Sequence, residues 1–307
     1  MIRQSAFIGE ATLLKGGLHT HTTRSDGEGA PDEVMRRHAA MGYSFLAITD
    51  HRIYNHTNFA PETNLLIVPG VEVDRKIGDH DGVYCFHTVC LGPSMQDGNG
   101  YDQDHTFERG SVADQYEFQK ILDEVHANNN LTFYCHPEWS GTPARDFDRL
   151  KGNFALEIWN TGCATDNDMD TNAAYWDELL MKGMRLYGVA VDDCHSAEHY
   201  GMGWVMVNAK PELNDILDAL RQGAFYSTCG PEIHDFYLDG DTAIVECSPC
   251  SSISFHYGRY PTQIFRSPSG VMTRARYRVP DFYTYLRVSV RDEAGLRAWS
   301  NPIFLKD

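Results

Sequence analysis

The sequence predicts an α/β fold, a closed β/α barrel followed by a small all-β sandwich, and three observations lead there. From the start to about residue 230, short apolar runs alternate with helix-like segments, the pattern of a mainly parallel sheet with crossovers. Polar side chains capable of chemistry recur immediately after those runs, and in a barrel such positions converge on one rim. An open doubly wound sheet would struggle to focus six strand ends on one point. From about His234 the period changes to short strands broken by DGD, SPS and EAG turns. The boundary falls near Gly230-Pro231 and separates 1–232 from 233–307.

Taken in order, residues 14–18 form a strand that runs into His19-Thr20-His21. A helix over 31–41 follows, with Pro31 at its first position and Gly42 closing it. Residues 45–49 (FLAIT) end at Asp50-His51, and 65–68 lead to Pro69-Gly70-Val71-Glu72. Residues 83–91 (VYCFHTVCL) are β-branched and aromatic, as a strand requires. Phe118, Ile121, Leu122 and Val125 recur at helical spacing and predict a helix over 113–128. Strands at 131–135, 155–159 and 186–191 end at His136, Asn160 and Asp192-Asp193, and a last helix covers 213–222. The insert 92–110, rich in Gly, Asp and Gln, reads as a long loop or a lid. Beyond the boundary, strands are expected at 236–238, 243–246, 253–257, 273–279 and 284–290.

Composition narrows the partners. A formal charge of −17 over 307 residues argues against an extended nucleic-acid surface or an anionic membrane. No apolar run approaches the roughly 18 residues of a membrane span. The N-terminal residues lack the pattern of a secretory signal. Eight scattered cysteines fit reduced, buried thiols and a cytoplasmic protein, with Cys247-Ser-Pro-Cys250 the one suggestive pair.

Nine side chains at strand ends are candidate metal ligands: His19, His21, Asp26, His51, Glu72, His87, His136, Asp193 and His195. Imidazole and carboxylate together suit Zn, Mn or Fe, and a bridging carboxylate lets two ions sit close together. A lone His-x-His says little, because on a strand it only places two imidazoles on one face. Arg24 and Arg52 flank these ligands, where a guanidinium either forks onto phosphate or pairs with a local carboxylate. His56 and His105 lie in loops that reach the rim. Trp139 and Trp159 follow ligand-bearing strands and serve either base stacking or the core. The other histidines (38, 80, 126, 199, 234, 256) read mostly as surface residues, His38 and His126 on solvated helix faces.

The ordered set HTH-x4-D, TDH, GVE, CHP and DxH resembles the polymerase and histidinol phosphatase (PHP) family over residues 17 to about 230. The resemblance implies a distorted (β/α)7 barrel, two to three divalent ions and hydrolysis of phosphate esters. By position it implies His19, His21, Glu72 and Asp193 on a first ion. Glu72, His87 and His136 would hold a second, so that Glu72 bridges, and Asp26, His51 and His195 a third. His87 rests on strand context (CFHTVCLG) and not on a tight motif. Asp50 and Asp192 are then expected to orient ligand imidazoles. The C-terminal strands look like the small immunoglobulin-like appendage of stand-alone family members, suited to packing or to binding a polymer.

The expected protein is therefore a phosphoesterase in which metal-activated hydroxide attacks phosphorus, with Glu72, Asp193 and His195 at the reacting centre and Arg24, Arg52 and His56 toward substrate. Nucleotides or short oligonucleotides are the favoured substrates, with sugar phosphates also open. An exonuclease and a metal-bound non-catalytic binding module are the alternatives. A C–N hydrolase of the wider metal-dependent barrel class fits less well, since no Lys sits at a mid-chain strand end.

Overall fold

A computed structural model describes residues 1–9, 12–79, 83–93, 100–258, 260–269 and 271–306. In chain order the first strands are β1 (Ile2–Arg3), β2 (Leu13–Gly17), β3 (Phe45–Leu46), β4 (Leu66–Ile67), β5 (Gly70–Ile77), β6 (Cys85–Leu91) and β7 (Ser111–Val112). Then come β8 (Leu131–Tyr134), β9 (Asn153–Asn160), β10 (Tyr187–Val191), β11 (Trp204–Asn208) and β12 (Phe225–Thr228). The C-terminal strands are β13 (Ile233–Asp239), β14 (Thr242–Cys250), β15 (Ser252–His256), β16 (Pro261–Arg266), β17 (Met272–Arg278), β18 (Tyr285–Arg291), β19 (Arg297–Ser300) and β20 (Ile303–Phe304). The helices are α1 (Pro31–Ala40), α2 (Gln115–Ala127), α3 (Thr161–Asn167), α4 (Asn172–Met181) and α5 (Leu213–Arg221).

Local chemistry explains the helix ends. Pro31 opens α1, Asp32 and Glu33 lie in its first turn, and Gly42 follows at φ 78°. At α2 the Asp114 carboxylate accepts from the Tyr116 and Glu117 amides at 2.9 and 3.0 Å, and Glu117 accepts from the Ala113 amide at 2.6 Å. The Asn160 side chain accepts from the Cys163 amide and starts α3. Helix α3, with 7 residues, is too short to stand out in the sequence, and α4 is too weakly periodic.

The fold is mixed α/β, with three sheets and few helices. One runs β10-β9-β8-β6-β5-β7 and a second β16-β15-β18-β19-β12-β11-β2-β3-β4 with β20 on β18. The third is β1-β13-β14-β17. Strict strand–helix alternation breaks down at β5, β6 and β8, which pair antiparallel. The reason is length: the few residues between Ile77 and Cys85 can close a hairpin but cannot carry a crossover helix. The two larger sheets meet where isolated parallel bridges join Thr20 to Cys194 and His51 to Glu72. Beneath that junction Leu18, Ala47, Val89, Phe133, Val191 and Val205 form one buried cluster.

The strands after residue 232 do not stand apart from the rest. β12 pairs with β19, Tyr226 opposite Ser300 and Thr228 opposite Ala298, so the second sheet runs on into the C-terminal strands. The N-terminal β1 joins β13 in the third sheet. Of the 92–110 insert, residues 94–99 lie outside the described residues. Tyr101 is buried, and the Tyr54 amide donates to the His105 carbonyl oxygen at 2.9 Å, so 100–107 lies against the segment after His51.

Candidate metal centre

Strand alternation and two strained turns bring the ligands together. His19 and His21 leave β2 on one face while Leu18 and Thr20 turn the other way, all four buried. Backbone bonds lock this segment between its neighbours: the Asp193 amide donates to the His19 carbonyl oxygen, and the His21 amide to that of Cys194. His136 and Asp193 have φ of 21° and 47°, conformations that cost about 1–3 kcal/mol for a side-chain-bearing residue. Such strain at two of the nine residues concentrates on the site. Gly27 sits where a Cβ would come within 2.6 Å of the His21 carbonyl carbon, so the loop bearing Asp26 can fold close only with glycine there.

Glu72, 1% exposed, is the hub. Its Oε2 lies 3.4 Å from His19 Nε2, 3.3 Å from His21 Nε2 and 3.0 Å from His51 Nδ1. Its Oε1 lies 2.7 Å from His87 Nδ1 and 3.2 Å from His136 Nε2. The two oxygens thus face two different groups of imidazoles, as a bridging carboxylate must.

The first group tests whether a metal fits. His19 Nε2 and His21 Nε2 are 3.1 Å apart, and each is 3.2 Å from Asp193 Oδ1. With the two contacts to Glu72, five edges of a four-cornered set span 3.1 to 3.4 Å. A tetrahedral ion about 2.0–2.1 Å from each donor requires edges of about 3.3 Å. Asp193 Oδ1 and His51 Nδ1 are nonetheless buried without a hydrogen-bond partner. These atoms converge on a common point and not on one another, and the donor set fits a divalent cation. A further group unites His21, Asp26, His51 and His195, with Asp26 3.4 Å from both His51 Nε2 and His195 Nε2. His21 therefore faces this group as well as the first.

Electrostatics give the same reading. Burial opposes a charge on His19, but Asp193, Glu72 and Glu157 outweigh it and push its pKa up to about 10. His51 rises to about 9, burial again opposing, with Glu72, Asp26 and Asp74 prevailing. Burial favours neutral Glu72 and Asp193, yet the surrounding imidazoles hold both well below the usual carboxylate range. Without cations, protons on the imidazoles balance the carboxylates. Divalent ions supply the same positive charge and displace those protons.

Glu157, fully buried in the middle of β9, is a site residue the sequence reading missed. Its Oε1 accepts from His19 Nδ1 at 2.6 Å, and its Oε2 accepts from the His136 amide and from Asn160 Nδ2. A carboxylate accepts only, so a proton sits on His19 Nδ1, and Nε2 would be the nitrogen left to hold an ion. A single Glu inside the apolar run ALEIWN was the available signal, since an ionised group there demands a partner. Asn160 also donates to Asp193 Oδ2 at 2.9 Å.

His199 was missed as well. It is buried, its Nδ1 accepts from the His195 amide, and its Nε2 donates to Asp166 at 3.1 Å. His38 likewise lies in the interior, donating from Nδ1 to the Val34 carbonyl oxygen at 2.9 Å, and not on a solvated face. His80 lies outside the described residues.

Other expectations need correcting. Asp50 and Asp192 do not reach ligand imidazoles, because neighbours in an extended chain point to opposite sides. Asp50 accepts from the Thr22 amide and hydroxyl and from the Ser25 hydroxyl, at 2.7 to 2.8 Å. Asp192 accepts from the Gly201, Met202 and Gly203 amides at 2.8 to 2.9 Å. Both hold backbone. Trp159 rests against Trp299, whereas Trp139 packs edge-on to His87 and His136.

Two cavities open on the cluster. One, of about 290 Å³, is bounded by ligand imidazoles and carboxylates together with Trp139, Cys163 and His199. The second is lined by Arg24, Arg52 and Phe107 and shares Asp26 and His51 with the first. Arg24 pairs with Asp104 and Arg52 with Asp74, so both guanidinium groups already have a carboxylate partner. His56 lines neither cavity, and the His105 ring stacks on Tyr101 at 4.5 Å.

The chain is similar to a two-domain protein from Bacteroides vulgatus ATCC 8482 containing a predicted PHP-like metal-dependent phosphoesterase, at 14% identity and TM-score 0.49, with 95% of each chain covered. It is also similar to an amidohydrolase from Chromobacterium violaceum with bound sulfate and no metal, at 18% identity and TM-score 0.43, with 59% of this chain and 88% of that one covered. No curated protein sequence matches. The PHP domain model matches residues 17–164, a segment that holds seven of the nine ligand positions and stops short of Asp193 and His195. Residues 17–164 of this chain carry a PHP domain.

Proposed function

We propose that the protein is a metal-dependent phosphoesterase acting on small phosphorylated molecules, nucleotides or short oligonucleotides before sugar phosphates. The observation that carries the reading is the bridging Glu72, with one oxygen toward His19 and His21 and the other toward His87 and His136. A single bridging carboxylate between two imidazole groups is the arrangement of a multinuclear centre. Two to three divalent ions, Zn, Mn or Fe, are the proposed cofactors. His19, His21, Glu72 and Asp193 would hold the first, Glu72, His87 and His136 the second, and Asp26, His51 and His195 the third. Bound there, such ions would polarise a phosphate and ionise water near neutral pH.

The chain's own residues do the rest. Glu157 and Asn160 orient His19 and Asp193 from behind. His195 lies at the mouth, its Nδ1 donating to the Asp193 carbonyl oxygen at 2.9 Å, which leaves Nε2 facing Asp26 and the cavity. If Nε2 is not ligating, it is the atom placed to give a proton to a departing oxygen. Arg24 and Arg52 place positive charge beside the second cavity, where substrate phosphate would approach. A cavity of this size admits a phosphate and its leaving group and not a long duplex.

We further read β2, β3, β5, β6, β8, β9 and β10 as a distorted seven-stranded barrel, supported by the bridges at Thr20–Cys194 and His51–Glu72. A cytoplasmic location is proposed on the eight buried free thiols, Cys247 and Cys250 among them with sulfurs 3.8 Å apart. Among the described residues no helix is long and apolar enough to cross a membrane.

The test is hydrolysis of p-nitrophenyl phosphate and of its thymidine ester by Mn²⁺-loaded protein. Both should be cleaved by the wild type, and His19→Ala should abolish cleavage. Inactivity with Zn, Mn and Fe across a panel of monoesters and diesters would overturn the reading in favour of a metal-bound binding module. Preference for nucleic-acid ends over small esters would make it an exonuclease.

A further inference from the structure

A second polar cavity, of about 360 Å³, lies between α4 and the C-terminal strands and shares no lining residue with the metal centre. Strand alternation builds it. On β15, Ile253 and Phe255 enter the core and leave Ser252, Ser254 and His256 on the other face. On β18, Val288 and Val290 do the same and leave Arg287, Ser289 and Arg291. Register aligns these residues: Ser252 faces Arg291, Ser254 faces Ser289 and His256 faces Arg287. Arg266 from β16 and Arg297 from β19 complete the wall, and Asp177 of α4 is the one acidic side chain in it. Four arginines less one aspartate leave about +3 in one cavity of a chain whose formal charge is −17.

Three of the four arginines have no carboxylate partner among the described residues, and the fourth keeps a free donor. Arg287, 2% exposed, binds Asp177 through Nε and Nη2 at 2.8 and 2.6 Å, but its buried Nη1 has no partner. Arg291 donates to the Gly295 carbonyl oxygen. Among the described residues, neither it nor Arg266 nor Arg297 has a carboxylate within ion-pair distance; Arg287 alone does. His256 contacts the Ser289 hydroxyl through Nε2 at 2.9 Å, and its buried Nδ1 is likewise unpartnered. A buried donor without an acceptor costs about 1–3 kcal/mol, so Arg287 Nη1 calls for an acceptor from outside. Guanidinium forks and serine hydroxyls match the oxygens of a tetrahedral oxyanion.

We propose that this cavity is a second ligand site, which binds a small, multiply charged phosphate: inorganic phosphate, diphosphate or the phosphate end of a small molecule. The site stands independently of the phosphoesterase reading. It requires no chemistry of its own.

The experiment is calorimetric titration of the metal-loaded, full-length protein with inorganic phosphate and with diphosphate. Replacing Arg266 and Arg297 together (Arg266→Gln/Arg297→Gln) should remove about one equivalent of bound phosphate or weaken it at least about tenfold, with p-nitrophenyl phosphate turnover unchanged. Ser254→Asp places a carboxylate among the arginines. It should abolish the same binding while raising the melting temperature without phosphate, a combination that misfolding does not produce. Preference for diphosphate over phosphate would assign a diphosphate-bearing ligand, and the reverse a monophosphate. If wild type and both variants bind equal amounts of phosphate with equal affinity, or if His19→Ala alone removes all of it, the second site does not exist.

Discussion

Glu157 shows what one side chain contributes to such a centre. It contacts no candidate substrate position, yet it holds the His19 ring through Nδ1 and the turn at His136 through the backbone amide. Glu157→Gln keeps the shape and removes the charge, so the proton on His19 Nδ1 loses its anionic acceptor. The expected result is a fall of about 10–100-fold in metal affinity with the fold retained, read by metal analysis after dialysis against graded chelator. Unchanged metal content would reduce Glu157 to a buried carboxylate with no hand in the site. His87 illustrates the opposite case. Its strand context alone did not separate a ligand from a core histidine, and the 2.7 Å contact with Glu72 places it at the cluster.

At the scale of elements, strand ends and strand interiors both supply the site: Glu72, His87 and Glu157 lie within β5, β6 and β9, against the expectation of strand ends for the first two. His19, His21, His136 and Asp193 follow strands, because alternation delivers a pair such as His19 and His21 to one face and the next turn is free to adopt unusual angles such as those of His136 and Asp193. Helices were legible where a terminal proline or apolar spacing marked them: Pro31 for α1, and Phe118, Ile121, Leu122 and Val125 for α2. Asp114→Ala should cost about 1 kcal/mol in urea unfolding while leaving metal content unchanged, because the cap lies outside the cluster. A parallel loss of metal would show that α2 reaches the site by a route not visible in its contacts. The hairpin of β5 and β6 was not legible as such. Residues 83–91 read as a strand, but 70–77 do not, since the strand at 65–68 is expected to end before Glu72; the pairing of β5 with β6 and of β6 with β8 shows the antiparallel run.

Across the whole molecule, the C-terminal strands share a sheet with β2, β3 and β4 and an ion pair with α4, Asp177 with Arg287. His256 lies beside that pair. Arg266, Arg287, Arg291 and Arg297 face its cavity from the strands, and Asp177 faces it from α4. Burial, with Arg287 and Arg297 adding to it, holds the His256 pKa well below 6.5. As pH falls below about 6.5, the unfolded chain takes up a proton that the folded chain refuses, and stability declines. His256 should therefore lower the melting temperature between about pH 7.5 and 5.5, read as a fall of the wild type relative to His256→Gln over that range. Equal slopes would remove His256 from the account. The set of candidate ligands, their order along the chain and the change of period near residue 233 were legible in the residues alone, because motifs and periodicity are local. So were most strands and the helices α1, α2 and α5. Long-range pairing, by contrast, turns Glu72 toward two groups of imidazoles and sets Glu157 behind His19. It also joins β19 to β12 and gathers four arginines into one cavity. Those facts depend on pairings between residues far apart in the chain, which register and packing select and no local pattern encodes.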